Sequence, residues 1–378
     1  MAVVFIFENS YQQYYSEFVA SRLQLNSSSI IFIGYGINKP LFLEKSNKNK
    51  FIYIEKNIFS ILNMIKENSS VLFLKKEFVE LKVTDVFLFK DHNYFNSRLI
   101  KVLSKINISS HLIEEGLSMY MLKNLMNIKK HGLLTSIKYR FRQLLFYIGG
   151  TGLNIEEFGL NPNLKSIHAF EPHLVPKVKC EIKVYSLPNK VWDKKVEANL
   201  CSKIKVSQDT KKFGILFLSQ PFVLLKRRTI ENQLFIVQSI INIVNSLGYN
   251  LILKTHPKEN KNMYSSLIGG FKILNHLVEP AELIIPNMNI RAMISEGSST
   301  SINAARTFGL KSFILKTDMF DKLEITQFNK LINKYCTIIN LDNEGFEILK
   351  KELTSDLKEM SLNFNVTKFK TIENLINK

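Results

Sequence analysis

The sequence predicts an α/β protein of two domains, each a parallel sheet with helices on both faces. Short apolar runs alternate with helical stretches along the first half, the alternation repeats in the second half, and a polar, lysine-rich segment separates the two. At 378 residues the chain is long enough for two cores.

Residues 3–7 are uninterruptedly apolar, as a strand buried on both faces should be. Asn9 and Ser10 follow, and Ser10 with Gln13 makes a capping box for a helix running to Leu23. Further strands are expected at 30–33, 51–54, 71–74, 86–89 and 112–113. Residues 187–212 are polar and lack periodicity, which places the junction there and gives domains 1–195 and 196–378. The second half opens with a strand at 215–218. A helix over 231–247 follows, with Leu234, Val237, Ile240, Ile241 and Val244 on one face and Gly248 ending it. Strands are expected at 251–253, 272–274, 292–294, 313–315 and 337–339, and a helical tail from Glu344 onward.

Hydrophobic residues make up 46% and aromatics 11%, which excludes a disordered chain. The net charge of +18 calls for an acidic partner: nucleic acid, anionic lipid or a polyanionic substrate. Cys180, Cys201 and Cys336 have neither metal-ligand spacing nor the density of a disulfide framework, so a reducing compartment is expected. The N-terminal apolar run lacks a basic lead-in and is too short for a secretion signal. No apolar stretch approaches the roughly 20 residues of a spanning helix, so a soluble or peripheral, cytoplasmic protein is expected.

Three motifs carry chemistry. In HLIEEGLSMY an apolar strand ends in Glu114, Glu115 and Gly116. Carboxyl ends of strands face the ligand crevice in open α/β sheets. A carboxylate there can take the proton of an attacking hydroxyl, and the glycine permits a tight turn or close sugar approach. An ordinary solvated Glu-Glu-Gly turn would look the same. In LILKTHPKE, His256 and Pro257 again follow a buried strand. Proline fixes the backbone and extends the residue before it, and the imidazole can donate to a departing phosphate. Lys254 and Lys258 favour an anionic ligand, although an isolated His-Pro pair is more often a surface turn. In SEGSSTSINAARTFG, a glycine, hydroxyl residues and a short helix form an anion site, with Ser298, Ser299 and Thr300 as phosphate contacts. Ser298 or Ser299 also suits a helix cap, and both readings are compatible.

The order and spacing of these motifs resemble those of the bacterial sialyltransferases, and within them the capsule polysialyltransferases. The resemblance rests on Glu114-Glu115-Gly116, His256-Pro257 and Ser298-Ser299-Thr300-Ser301, with Leu112, Ile113, Tyr120, Lys258 and Glu259 around them and FLSQP at 217–221. It covers residues 85–310 in three anchored patches. It implies a GT-B-like fold, two Rossmann-like domains facing a central cleft. It also implies inverting transfer from CMP-sialic acid, with no metal and no other cofactor. One glutamate would be the base, with Glu114 favoured and Glu115 supporting. His256 would act on the CMP phosphate, Pro257 and the hydroxyls of Ser298 to Ser301 would bind the donor, and Glu279 would meet the CMP ribose or base. Thr255 stands where proline or glycine is expected, and Leu117-Ser118 replace smaller residues; both put acceptor and linkage in doubt.

Residues 117–155 contain no acidic side chain but hold Lys129, Lys130, Arg140 and Arg142 among aromatics. Together with Gly116 these are the candidate acceptor-binding residues. The stretch suits an anionic membrane face or an acidic glycan, which are preferred over single-stranded nucleic acid because no nucleic-acid motif accompanies it; a core-packed helix with a solvated basic face is the plain alternative. The expected partners are CMP-sialic acid and an acidic glycan or glycolipid acceptor, with peripheral membrane contact and no nucleic acid. The acceptor would be a sialylated or galactose-terminated surface glycan, of capsule or lipooligosaccharide. Two alternatives stand: a capsule or lipopolysaccharide transferase using CMP-Kdo or another nucleotide donor, and a non-enzymatic basic protein binding nucleic acid or lipid.

Overall fold

The computed structural model describes residues 2–22, 30–36, 50–55, 61–120, 159–176, 182–187, 214–274, 280–316 and 326–363. The chain forms two compact units. The boundary expected at 195/196 lies outside the described residues.

The first unit is built on seven parallel strands: β1 (Ala2–Phe7), β2 (Ile30–Gly36), β3 (Lys50–Glu55), β4 (Val83–Leu88), β5 (Ser109–Ile113), β6 (Ser166–Ala169) and β7 (Lys183–Ser186). Their spatial order is β3-β2-β1-β4-β5-β6-β7. The order reverses between β1 and β4, and at such a switch point the connections diverge and leave a crevice at the carboxyl ends. β1 is buried at every position, as its unbroken apolar run requires. Helices α1 (Ser10–Arg22), α2 (Ile61–Glu80) and α3 (Tyr94–Ser104) follow β1, β3 and β4.

Two local expectations are corrected. Residues 71–74 are not a strand but lie inside α2. Val71, Leu74 and Phe78 are buried while Leu72 and Phe73 are exposed, so the apolar spacing that matters is helical, and the four-residue run hid it. The cap of α1 is Asn9 rather than Ser10: its Oδ1 accepts from the Gln12 N–H at 2.9 Å. Gln12 completes the turn by accepting from the Glu8 N–H at 2.6 Å.

The second unit has six parallel strands: β8 (Gly214–Leu218), β9 (Asn250–Lys254), β10 (Phe271–Ile273), β11 (Ile290–Ser295), β12 (Lys311–Leu315) and β13 (Thr337–Ile339). Their order, β10-β9-β8-β11-β12-β13, puts the switch point between β8 and β11. Helix α4 (Ile230–Ser246) packs Val237, Ile240, Ile241 and Val244 on the sheet, and Gly248 follows it at φ 76°. Helix α5 (Ser299–Phe308) connects β11 to β12, and α7 (Asn343–Asn363) carries the helical tail. Helix α6 (Thr326–Tyr335) and the turn Ala281–Ile284 lie between strands of the second sheet in sequence, yet belong largely to the first unit. The Lys334 ammonium, 2.6 Å from Glu171 Oε1, ties α6 there.

Candidate active site

In the first unit, polar residues collect where β1, β4 and β5 end. Glu8 and Asn9 follow β1, Lys90 and Asn93 follow β4, and Glu114 and Glu115 follow β5. The two adjacent glutamates have different surroundings. Glu114 continues the sheet ladder, its N–H donating to the His168 carbonyl at 2.9 Å. Its side chain is 5% exposed; Oε2 accepts from the Tyr120 hydroxyl and, at 2.7 Å, from the Phe170 N–H. Tyr120 in turn accepts from the Glu171 N–H at 3.1 Å. Glu114 thus joins the β5 and β6 ends to the turn Leu117–Tyr120, which opens at Gly116.

Glu115 faces the switch point, with 23% of its side chain exposed. Its Oε1 accepts from Gln12 Nε2 and, at 3.5 Å, from Asn9 Nδ2. Lys90 Nζ lies 3.7 Å from its Oε2 and 3.1 Å from Glu8 Oε2, while Asn93 Nδ2 donates to Glu8 Oε1 at 2.7 Å. Burial works against the Lys90 charge, but Glu115 and Glu8 override it and raise its pKa. Burial also pushes the Glu115 carboxyl above its ordinary value, with the Lys90 ammonium only partly opposing it. A carboxylate of raised pKa, reachable and held by two amides and an ammonium, is suited to accept a proton.

In the second unit, the ends of β8, β9 and β11 are laced together. His256 is half-buried, and its N–H donates to Glu259 Oε2 at 2.8 Å. The Lys258 N–H donates to His256 Nδ1 at 3.1 Å, which leaves the ring proton of the neutral form on Nε2. Burial, then Lys258 and Lys254, lower the His256 pKa, so the ring is neutral at pH 7. Glu259 also accepts from the Ser219 hydroxyl and, at 3.0 Å, from the Tyr264 hydroxyl. Burial raises its pKa despite these donors. Across the switch point Glu296, 1% exposed, pairs with Arg228 and accepts from the Gln220 N–H and Gln233 Nε2, both at 3.0 Å. The Arg228 guanidinium lies over Phe222, 5.0 Å from the ring centroid.

Gly297 takes φ 92°, a conformation open mainly to glycine, and turns the chain into α5. Ser298 caps that helix, its Oγ accepting from the Thr300 N–H at 3.2 Å. Ser299 and Thr300 are partly exposed on the first turn, where helix amides favour an anion. Ser301 points inward, is wholly buried, and donates to Ser295 Oγ at 2.6 Å. Pro257 is exposed. Glu279, Lys129, Lys130, Arg140 and Arg142 lie outside the described residues.

Sequence reasoning did not single out Glu8, Asn9, Gln12, Lys90, Arg228 or Glu296. All but Arg228 share a signal of position: each lies just beyond, or one turn past, the end of a strand at a switch point. Among the described residues no group of three or more His, Cys, Asp or Glu side chains is arranged to hold a metal ion. No helix among them is long and apolar enough to cross a membrane.

The fold is shared with solved bacterial enzymes. An α/β-galactoside α-2,3-sialyltransferase from the luminous marine bacterium Photobacterium phosphoreum is 10% identical, with a TM-score of 0.54 over 89% of this chain and 98% of that one. A sialyltransferase from Photobacterium damsela is 11% identical, with a TM-score of 0.50 over 89% and 81%. A UDP-GlcNAc 2-epimerase from Neisseria meningitidis, solved with UDP-GlcNAc, is 13% identical, with a TM-score of 0.52 over 94% and 92%. No curated protein sequence matches this chain. Two parallel sheets of Rossmann order, each with its polar residues at the strand ends, make the GT-B fold. The profile of the alpha-2,8-polysialyltransferase (POLYST) family matches residues 4–317. The chain belongs to that family and is a sialyltransferase.

Proposed function

We propose that the enzyme moves sialic acid from CMP-sialic acid, with inversion, onto a bacterial surface glycan. The α-2,8 linkage in the family's description favours a sialylated chain, such as capsule polysialic acid, over a galactose-terminated one. Glu115 takes the proton of the attacking hydroxyl, and Glu114 positions it by fixing the backbone that carries both. The neutral His256 donates from Nε2 to the departing CMP phosphate. Ser299, Thr300 and the first amides of α5 receive that phosphate, while Ser298 and Ser301 hold the helix start in place. Glu279 meets the ribose or base, Pro257 extends the backbone at His256, and Gly116, Lys129, Lys130, Arg140 and Arg142 meet the acidic acceptor. The phosphate charge is met by these groups, so transfer continues in EDTA. Work proceeds in the cytoplasm or at the inner face of the membrane.

The contrast within the acidic pair carries the reading. One carboxylate is enclosed by donors, and the other is reachable, of raised pKa and aimed at the switch point. The test is elongation of an oligosialic acceptor by the purified chain, read as product length and CMP release. CMP should raise the melting temperature, and UMP or UDP should not. Turnover of a uridine-linked sugar in place of CMP-sialic acid would overturn the donor assignment.

A further inference from the structure

Sheet faces in a doubly wound domain are ordinarily apolar, because helices cover them. Across β4 to β7 one face of the first sheet departs from this. Strand register sets Phe87, His111, Ser166 and Lys183 side by side, with Asp85, His168 and Tyr185 two residues away on the same face. A cavity of about 680 Å³ opens here, lined by His111, Lys165, Ser166, Lys183 and Tyr185 among others. That volume falls within the roughly 300–1,000 Å³ of small-molecule sites. Ser166 and Lys183 open their strands, so the cavity lies toward the amino ends. It shares no residue with the surroundings of Glu115.

The polar groups form a directed chain. Asp85, whose pKa is lowered mainly by His111 against the effect of burial, accepts from His111 Nε2 at 2.9 Å. His111 Nδ1 must then accept from the Ser166 hydroxyl at 2.6 Å, and Ser166 Oγ accepts from His168 Nε2 at 2.9 Å. Burial lowers both imidazole pKa values, that of His168 to about 4, so positive charge at the cavity comes from the lysines. Lys165 reaches Ser109 Oγ at 3.1 Å, and Lys183 is exposed with no ion-pair partner among the described residues. Tyr185 stacks on His168 at 5.4 Å yet remains 49% exposed, a flat ring held in place with one side open.

We propose that this cavity is a second binding site, distinct from the transfer site, for a sugar acid. The ammonium groups of Lys165 and Lys183 meet the carboxylate, and the Tyr185 ring carries the apolar face of the pyranose. A phosphate has the charge but no use for the ring, and a neutral hexose has the ring but no use for the lysines. The inference stands apart from the transfer reading, since its test needs no turnover.

The test is lysine acetylation of the full chain, read residue by residue by mass spectrometry, with N-acetylneuraminic acid, galactose or inorganic phosphate. Saturating N-acetylneuraminic acid should slow modification of Lys165 and Lys183 about tenfold and leave Lys75 and Lys76, on the exposed side of α2, unchanged. Galactose and phosphate should not protect. In a folded Tyr185→Ala variant, half-protection should need about ten times more sugar acid. Absence of protection, equal protection by phosphate or galactose, or an unmoved Tyr185→Ala titration overturns the proposal.

Discussion

Glu115→Gln separates catalysis from stability at one atom. The amide oxygen can keep the bonds that Oε1 accepts from Gln12 and Asn9, and Lys90 keeps Glu8 at 3.1 Å. What disappears is basicity. Loss of a general base costs about 10²–10⁴ in rate, so transfer to an oligosialic acceptor should fall by that factor. Stability moves the other way. A folded-state pKa raised by burial means that the protonated form favours folding; that contribution is complete below the ordinary value of 4.5 and lost as pH rises through the folded value. At pH 7 the ionised side chain therefore weighs against folding, and the neutral amide does not. The variant should melt at or above the parent temperature at pH 7, with the difference closing near pH 4. In the parent, kcat/KM should fall on the acid side at a pH above 4.5, since the base must be ionised; the residual rate of the variant should lack that limb. Radiolabelled donor transfer and calorimetry at both pH values decide the matter. Near-parental transfer, or a variant that melts lower at pH 7, refutes the reasoning.

Glu114→Ala should act on the fold, because it removes the carboxylate oxygen that accepts from the Tyr120 hydroxyl and the Phe170 N–H. Loss of a buried partner costs about 1–3 kcal/mol for each donor it met, which urea unfolding will read. His256→Ala removes a half-buried ring, the proposed donor to the leaving phosphate. Single-turnover kinetics should show a loss of about 10²–10³ in a chain whose melting is unchanged. Neutralising Lys129, Lys130, Arg140 and Arg142 together should raise the acceptor KM and reduce its salt dependence, with CMP binding unaltered in a thermal-shift titration. Screening over a Debye length of about 8 Å at physiological ionic strength makes the joint variant necessary, because single changes are damped.

Buried strands were readable where apolar runs were unbroken, as at residues 3–7 and 215–218, since only two-sided burial tolerates such runs. The run at 71–74 misled because four consecutive apolar residues fit either period; exposed Leu72 and Phe73 within α2 show which prevailed. Strands β6 and β7 read SIHA and KVYS, and the serine, lysine and tyrosine among these residues line a cavity. No hydrophobicity pattern marks such strands. The strand-to-turn boundaries that carry Glu115, His256 and Ser298 were readable, but which glutamate of the pair is the more reachable was not: the sequence favoured Glu114, and Glu115 is the less buried of the two. The partners of these residues were not readable either, because Gln12 and Glu115 are 103 positions apart and meet only when β1 and β5 lie in one sheet.

Both units solve the same problem in the same way. A catalytic side chain at a strand end needs a fixed backbone, but a loop there has lost its ladder bonds. In the first unit Glu114 supplies the missing acceptor, binding the Phe170 N–H and Tyr120, and so fixes the residue that precedes Glu115. In the second, Glu259 accepts from the His256 N–H, Ser219 and Tyr264, and so fixes the backbone of His256 itself. Each buried carboxylate is costly unless fully paired, and each is met by donors from more than one chain segment. The oxygens of these buried carboxylates are thus taken up by amides and hydroxyls, while Glu115 is met by side chains from the ends of β1 and β4 and His256 keeps its ring proton on Nε2. The acidic pair at the end of β5 accordingly divides two roles, with the more buried member holding the chain and the other left reachable.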